Sequence, residues 1–169
     1  MIFIKTTLLF LVFGTISAIG IKISNGYKIR AHNLKQIKKG LKILETKVAY
    51  TYEQLPDIFI DISHKIEGSV GKLFFDTGTR MQLEFAGEAW EKCINDSKIY
   101  LDYEDKEALK SLGKLLGKTD IQGQLNQISL VNNFLDEQIK EAVESKEKNE
   151  KMYKKLGVIV GLAVVIVLV

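Results

Sequence analysis

Two apolar runs without a single charge, one near each end of the chain, constrain the fold most. Residues 6–21 (TTLLFLVFGTISAIGI) are 16 uncharged positions, and residues 156–169 (LGVIVGLAVVIVLV) are 14. Coiled as helices they would reach about 24 Å and about 21 Å at the α-helical rise, against a hydrocarbon core of about 30 Å. Flanking side chains make up the difference. Lys5 and Lys22 bound the first run, and Lys154 and Lys155 precede the second. Each can extend its ammonium into the headgroups while its stem stays in the apolar layer. Met152 and Tyr153 suit the interface. The sequence therefore divides into an N-terminal membrane helix (1–27), a water-facing body (28–151) and a C-terminal membrane helix (152–169).

Each run has a plainer reading. The first resembles a cleaved signal peptide with Lys5 as its basic start. Lys22, Lys28, Arg30, Lys35, Lys38 and Lys39 follow it closely, however, and such a flank resists translocation. The second is short enough for a buried core helix, but an all-round apolar run at a chain end is hard to bury in a small domain. Lys146, Lys148, Lys151, Lys154 and Lys155 lie before it. Both basic flanks put the body on the cytoplasmic side, as an even number of spans requires. Gly14 with Ala18, and Gly157 with Gly161, are small residues four apart, the spacing that allows helices to pack closely in lipid.

The body is helical throughout. Leu34, Ile37, Leu41, Leu44 and Val48 repeat at three and four, an a/d seam with coiled-coil character, so residues 30–52 form one long amphipathic helix. Pro56 and Asp57 then suit the first turn of a second. Ile58, Phe59, Ile62 and Ile66 give its apolar face. Gly68 and Gly71 bracket a break, and a third helix carrying Val70, Leu73, Phe74 and Met81 ends or is interrupted near Thr77-Gly78. A short fourth helix spans 85–93, and a fifth spans 104–116. Gly117 suits a helix C′ position. Thr119 with Gln122 reads as a capping box, with Asp120 an equally good N-cap. Leu125, Ile128, Val131, Leu135, Ile139 and Ala142 then continue at helical period. The stretch EAVESKEKNEKMYKK follows with Glu and Lys four apart, as in Glu144 with Lys148. One helix thus runs from about residue 120 into the second apolar run. No window alternates at period two with turn chemistry; the longest candidate, 98–103, is brief. The fold class is all-α, a helical bundle or set of αα-hairpins.

Chemistry is sparse. With Lys+Arg 24 against Asp+Glu 21, the net charge of +3 is too mild for a nucleic-acid binder, and the single Cys93 excludes an internal disulfide framework. Gly117-Lys118-Thr119 resembles the end of a phosphate-binding loop, but that motif needs four residues between its glycines, and position 112 is Leu. The two histidines, His32 and His64, have no partners at metal-ligand spacing. Cys93 follows Trp90 on one helix face, where core packing is the default. Glu104-Asp105 and Asp102 with Glu107 read as acids at a helix start rather than a catalytic pair. No catalytic residue, cofactor or metal site is expected.

The layout resembles the stage III sporulation protein AB family of endospore-forming bacteria. The likeness is carried by the first apolar run, the basic helix with Leu41, Leu44 and Glu45, and the turn from Tyr50 to Pro56. Glu88-Ala89-Trp90-Glu91, Glu104-Asp105, Leu112-Gly113 and Leu116-Gly117 extend it, followed by Asp120, Gly123, Gln124 and the Leu156-Gly157 tail. LGKLLGKTDIQGQ is its most specific stretch; Glu53-Gln54, where the family has Thr-Pro, departs from it. The resemblance implies a non-catalytic, membrane-anchored component of the mother-cell channel or secretion-like complex needed for endospore formation. Its body would resemble the cytoplasmic domain of the type II secretion inner-membrane platform protein and sit on the mother-cell side of the outer forespore membrane. The implied partners are other stage III sporulation proteins, foremost the cognate cytoplasmic ATPase. Trp90, Asp105, Gly113, Gly117, Asp120 and Gln124 are the motif residues, structural or partner-contacting; self-association into a homo-oligomer stays open. The competing readings are a platform subunit of a secretion or pilus system outside sporulation and a membrane enzyme centred on Gly117-Lys118-Thr119.

Overall fold

In the computed structural model the described residues are 2–168, with side chains described throughout 25–152 and at scattered positions beyond. They form six helices in chain order: α1 (Ile2–Tyr50), α2 (Leu55–Lys65), α3 (Gly68–Arg80), α4 (Ala86–Asp96), α5 (Tyr103–Gly113) and α6 (Ile121–Leu168). Two compact units divide the chain, Arg30–Lys140 and a second made of Met1–Ile29 with Glu141–Val169.

The first unit is the helical body. The seam read from α1 is its spine: Leu34, Ile37, Leu41 and Leu44 are fully buried, and Ile128 and Leu135 of α6 are equally so. Against this spine α2 packs on α3, α3 on α4 and α4 on α5. Three aromatic rings fill the centre. Phe59 of α2, Phe74 of α3 and Trp90 of α4 lie with centroids 5.6–5.7 Å apart, tilted or edge-on, the geometry that aromatic quadrupoles prefer.

The ends of α2 follow the sequence signals. Pro56 stands in its first turn behind an extended Gln54, with Asp57 beside it. Several other boundaries differ from expectation. The break before α3 falls at Ile66–Glu67 and is bordered by Gly68 at φ +71°, as expected of that glycine, but Gly71 lies inside α3, where a Cβ would run into the Ile66 carbonyl. Thr77-Gly78 does not interrupt α3, which continues to Arg80; a Cβ at Gly78 would stand 2.9 Å from the Pro56 carbonyl oxygen. Gly71 and Gly78 permit helix–helix contact rather than ending a helix. The fifth helix stops at Gly113, and turns carry the chain from there to residue 119.

In the second unit, described large side chains at Leu11 and Ile159 are well exposed. Among the described residues no helix is long and apolar enough to cross a membrane, and most side chains of the two apolar runs lie outside them. A Cβ at Gly14 meets nothing within 4 Å among the described residues. The paired positions Ala18, Gly157 and Gly161 have side-chain positions outside the described residues.

Candidate functional site

The motif residues of the body fall into three neighbouring polar and close-packed devices. The first is a buried clasp. Arg30, on α1, is almost wholly buried, and Asp105, in the first turn of α5, is fully so. The guanidinium meets the carboxylate bidentately: Nε donates to Asp105 Oδ2 at 2.8 Å and Nη2 to Oδ1 at 2.9 Å. Nη2 also donates to Gln138 Oε1 of α6 at 2.5 Å, and Nη1 pairs with Asp102 at 2.9 Å. Asp105 Oδ2 further accepts the Asp102 backbone N–H at 2.9 Å, the reach-back of a capping box. One carboxylate therefore starts α5, and the Arg30 guanidinium that it holds joins α1, α5 and α6. A planar fork suits a buried carboxylate because it satisfies both oxygens at once.

Asp105 stands at a helix start, as the acids around it predict, but its burial has no local signal. Arg30 reads from the sequence as part of the basic flank, and nothing local marks Gln138. Nearby, Asn33 donates to the Tyr100 carbonyl at 3.2 Å, and Lys38 pairs with Asp136 across α1 and α6. The only advance signal would have been an arginine on the apolar side of the α1 seam, four residues before Leu34.

The second device joins α4 to α5. Trp90 is fully buried, and its Nε1 donates to the Leu109 carbonyl at 2.6 Å. One turn earlier on α4, Gly87 faces Gly113. A Cβ on Gly87 would collide with the Gly113 carbonyl, and one on Gly113 would sit 2.9 Å from the Gly87 carbonyl oxygen and 3.1 Å from the Trp90 ring. Two glycines thus let two backbones touch, and the indole fills the space beside them.

The third device is the α5–α6 turn. Gly117 has φ +72°, a left-handed conformation that L side chains rarely adopt. Gln124 staples the turn from the first coil of α6. Its Oε1 accepts the Gly117 N–H at 3.3 Å, and its Nε2 donates to the Thr119 carbonyl at 3.1 Å. Asp120 is the cap of α6, accepting the Gly123 N–H at 2.9 Å. Thr119 does not cap: its hydroxyl donates back to Leu115 at 3.4 Å, and Gln122 bonds Asn126 instead of reaching back. The carboxylate wins because Asp120 directly precedes the helix, and it accepts more strongly than a hydroxyl. The stretch Gly117-Lys118-Thr119 follows a helix rather than the strand that a phosphate-binding loop needs.

Cys93 is buried, and burial pushes its thiol above the ordinary value, outweighing a lowering contact with Thr77 and the nearby Arg80 charge. His32 and His64 are exposed. Glu104 is exposed at the start of α5, and Glu107 pairs with Lys110 at 2.9 Å. Among the described residues no three metal-ligating side chains form a group.

The devices bind helices to one another, and comparison with known proteins agrees with a shared framework. Stage III sporulation protein AB of Bacillus subtilis (strain 168) is 28% identical over 153 residues, 88% of this chain and 90% of that protein. A solved structure of a Stage III sporulation protein AB matches with a TM-score of 0.66 at 23% identity, covering 71% of this chain and 98% of that one, a likeness of fold. The pattern that defines the family "Stage III sporulation protein AB" matches residues 5–169, from the first apolar run to the end of the second, and the chain belongs to that family.

Proposed function

We propose that this protein is a non-catalytic, membrane-anchored component of the assembly that stage III sporulation proteins build during endospore formation. Residues 1–27 and 152–169 hold it in the cell membrane, and residues 28–151 stand in the mother-cell cytoplasm as a platform for partner proteins. The observation that carries this reading is the extent of the family match. It includes both apolar ends as well as the helical body, so these ends and the body belong to one family pattern. The outward-facing Leu11 and Ile159 support it, since large apolar side chains on helix surfaces are comfortable in lipid. The lysines that follow the first run and precede the second support the orientation. A helical body braced by clasp, indole and stapled turn suits a scaffold, and its partners are expected among the other stage III proteins, with a cytoplasmic ATPase foremost.

The test is fractionation combined with labelling. The full chain should resist alkaline extraction and dissolve only in detergent. A cysteine placed at exposed His64 should react with a membrane-impermeant maleimide only after the cells are opened. Recovery without detergent, or labelling of intact cells, would overturn the reading.

A further inference from the structure

Three joints of the body converge at one pole. A Cβ at Gly117, in the α5–α6 turn, would stand 3.3 Å from Leu55 at the start of α2 and 3.5 Å from Ala86 at the start of α4. Around this meeting point large apolar side chains turn outward. Tyr52, just before α2, is fully exposed; Leu83 and Phe85, just before α4, are 92% and 73% exposed; and Ile121 opens α6 with its side chain largely free. Scattered apolar residues on a surface are ordinary, but several at one place, continuous with the core through Leu55 and Ala86, mark an interaction surface.

The charges around the patch are unevenly distributed. Glu53, paired with Lys47, and Asp57 make the α1–α2 joint net acidic, whereas Lys114 and Lys118 outnumber the helix-capping Asp120 at the α5–α6 joint, and both lysines and all three acids are exposed. A partner of one strong charge would be repelled by half of this rim. A second copy turned through a two-fold axis meets acid with base twice, because an isologous contact repeats each pairing.

We propose that this pole is a self-association surface, on which two copies of the chain bury Tyr52, Leu83 and Phe85 against each other while the lysines of each α5–α6 turn face the carboxylates of the other's α1–α2 joint. The glycine-dependent turn and its Gln124 staple then have a reason beyond ending a helix: they hold the basic rim in register with the apolar centre.

The experiment is sedimentation of the full chain in density-matched detergent over a wide concentration range. The expected result is a concentration-dependent dimer. Leu83→Ser with Phe85→Ser should weaken it at least about tenfold, the loss expected on removing central apolar anchors, while the far-UV spectrum stays helical. Asp57→Lys should weaken it as well, and Lys114→Asp with Lys118→Asp in the same chain should restore it. A chain monomeric throughout overturns the proposal. So does a dimer indifferent to Leu83→Ser/Phe85→Ser, which would place its contact elsewhere. A monomer whose Leu83→Ser/Phe85→Ser variant loses a co-expressed stage III protein would overturn it too, giving the pole to that partner.

Discussion

Asp105 has two obligations at once: it holds a guanidinium bidentately, and it accepts the backbone N–H of Asp102, the N-cap of α5. A buried ion pair adds little net stability, because desolvation offsets the attraction, yet removing one partner strands the other charge. Asp105→Ala should therefore cost about 3–5 kcal/mol by leaving Arg30 buried and unpaired. The double change Arg30→Met/Asp105→Leu should cost clearly less than Asp105→Ala alone. Denaturant melts of the three proteins decide it; a double variant as unstable as the single would mean that the clasp contributes by more than charge pairing. Cys93 gives a second prediction at this scale. With its thiol raised by burial, little thiolate forms near neutral pH. Alkylation should be slow in the native protein and fast once it is unfolded; equal rates in both states would contradict the burial.

Among the elements, the α5–α6 turn and the α1–α2 joint behave differently. Gly117 sits at positive φ with Leu55 and Ala86 close by, so Gly117→Ala should destabilise by about 1–2 kcal/mol, the cost of a left-handed L residue. A thermal melt unchanged by that substitution would show that the turn relaxes freely. The α1–α2 joint is held by charges instead. Lys47 bonds Glu53 at 2.6 Å and Asp61 at 3.1 Å, and Lys65 bonds Asp61 at 2.7 Å. The Lys65 hydrogen bond, then that of Lys47, lowers the Asp61 carboxyl below its ordinary value near 3.8. A depressed acid contributes its stability above the unfolded value and loses it as pH falls through the folded one. The stability difference between the protein and Asp61→Asn should thus be present at neutral pH and vanish as the pH drops below about 4, a small effect because these groups face solvent. A difference that persists in strong acid would show that charge is not its source.

For the molecule as a whole, the helical body was largely legible because periodicity at three and four reports burial directly: Leu34 to Val48 and Ile128 to Leu135 are buried where their spacing puts them. Of the candidate site, Gly117 as a turn glycine was legible and the cap of α6 was narrowed to Thr119 or Asp120, since both rest on local backbone chemistry. What escaped was long-range. Gly71 and Gly78 looked like breakers because a glycine signals either a bend or a neighbour, and only the neighbour's position distinguishes them. Arg30 finds Asp105 and Gln138 across 75 and 108 positions of chain, separations that leave no trace in any local window. That same separation has a consequence during synthesis. The chain leaves the ribosome from its N-terminus, so Arg30 emerges long before either acceptor. Until residue 138 has cleared the exit tunnel the guanidinium cannot complete its contacts, and the joint of α1, α5 and α6 cannot close. Assembly of this domain is therefore a late event in translation, timed by its last helix.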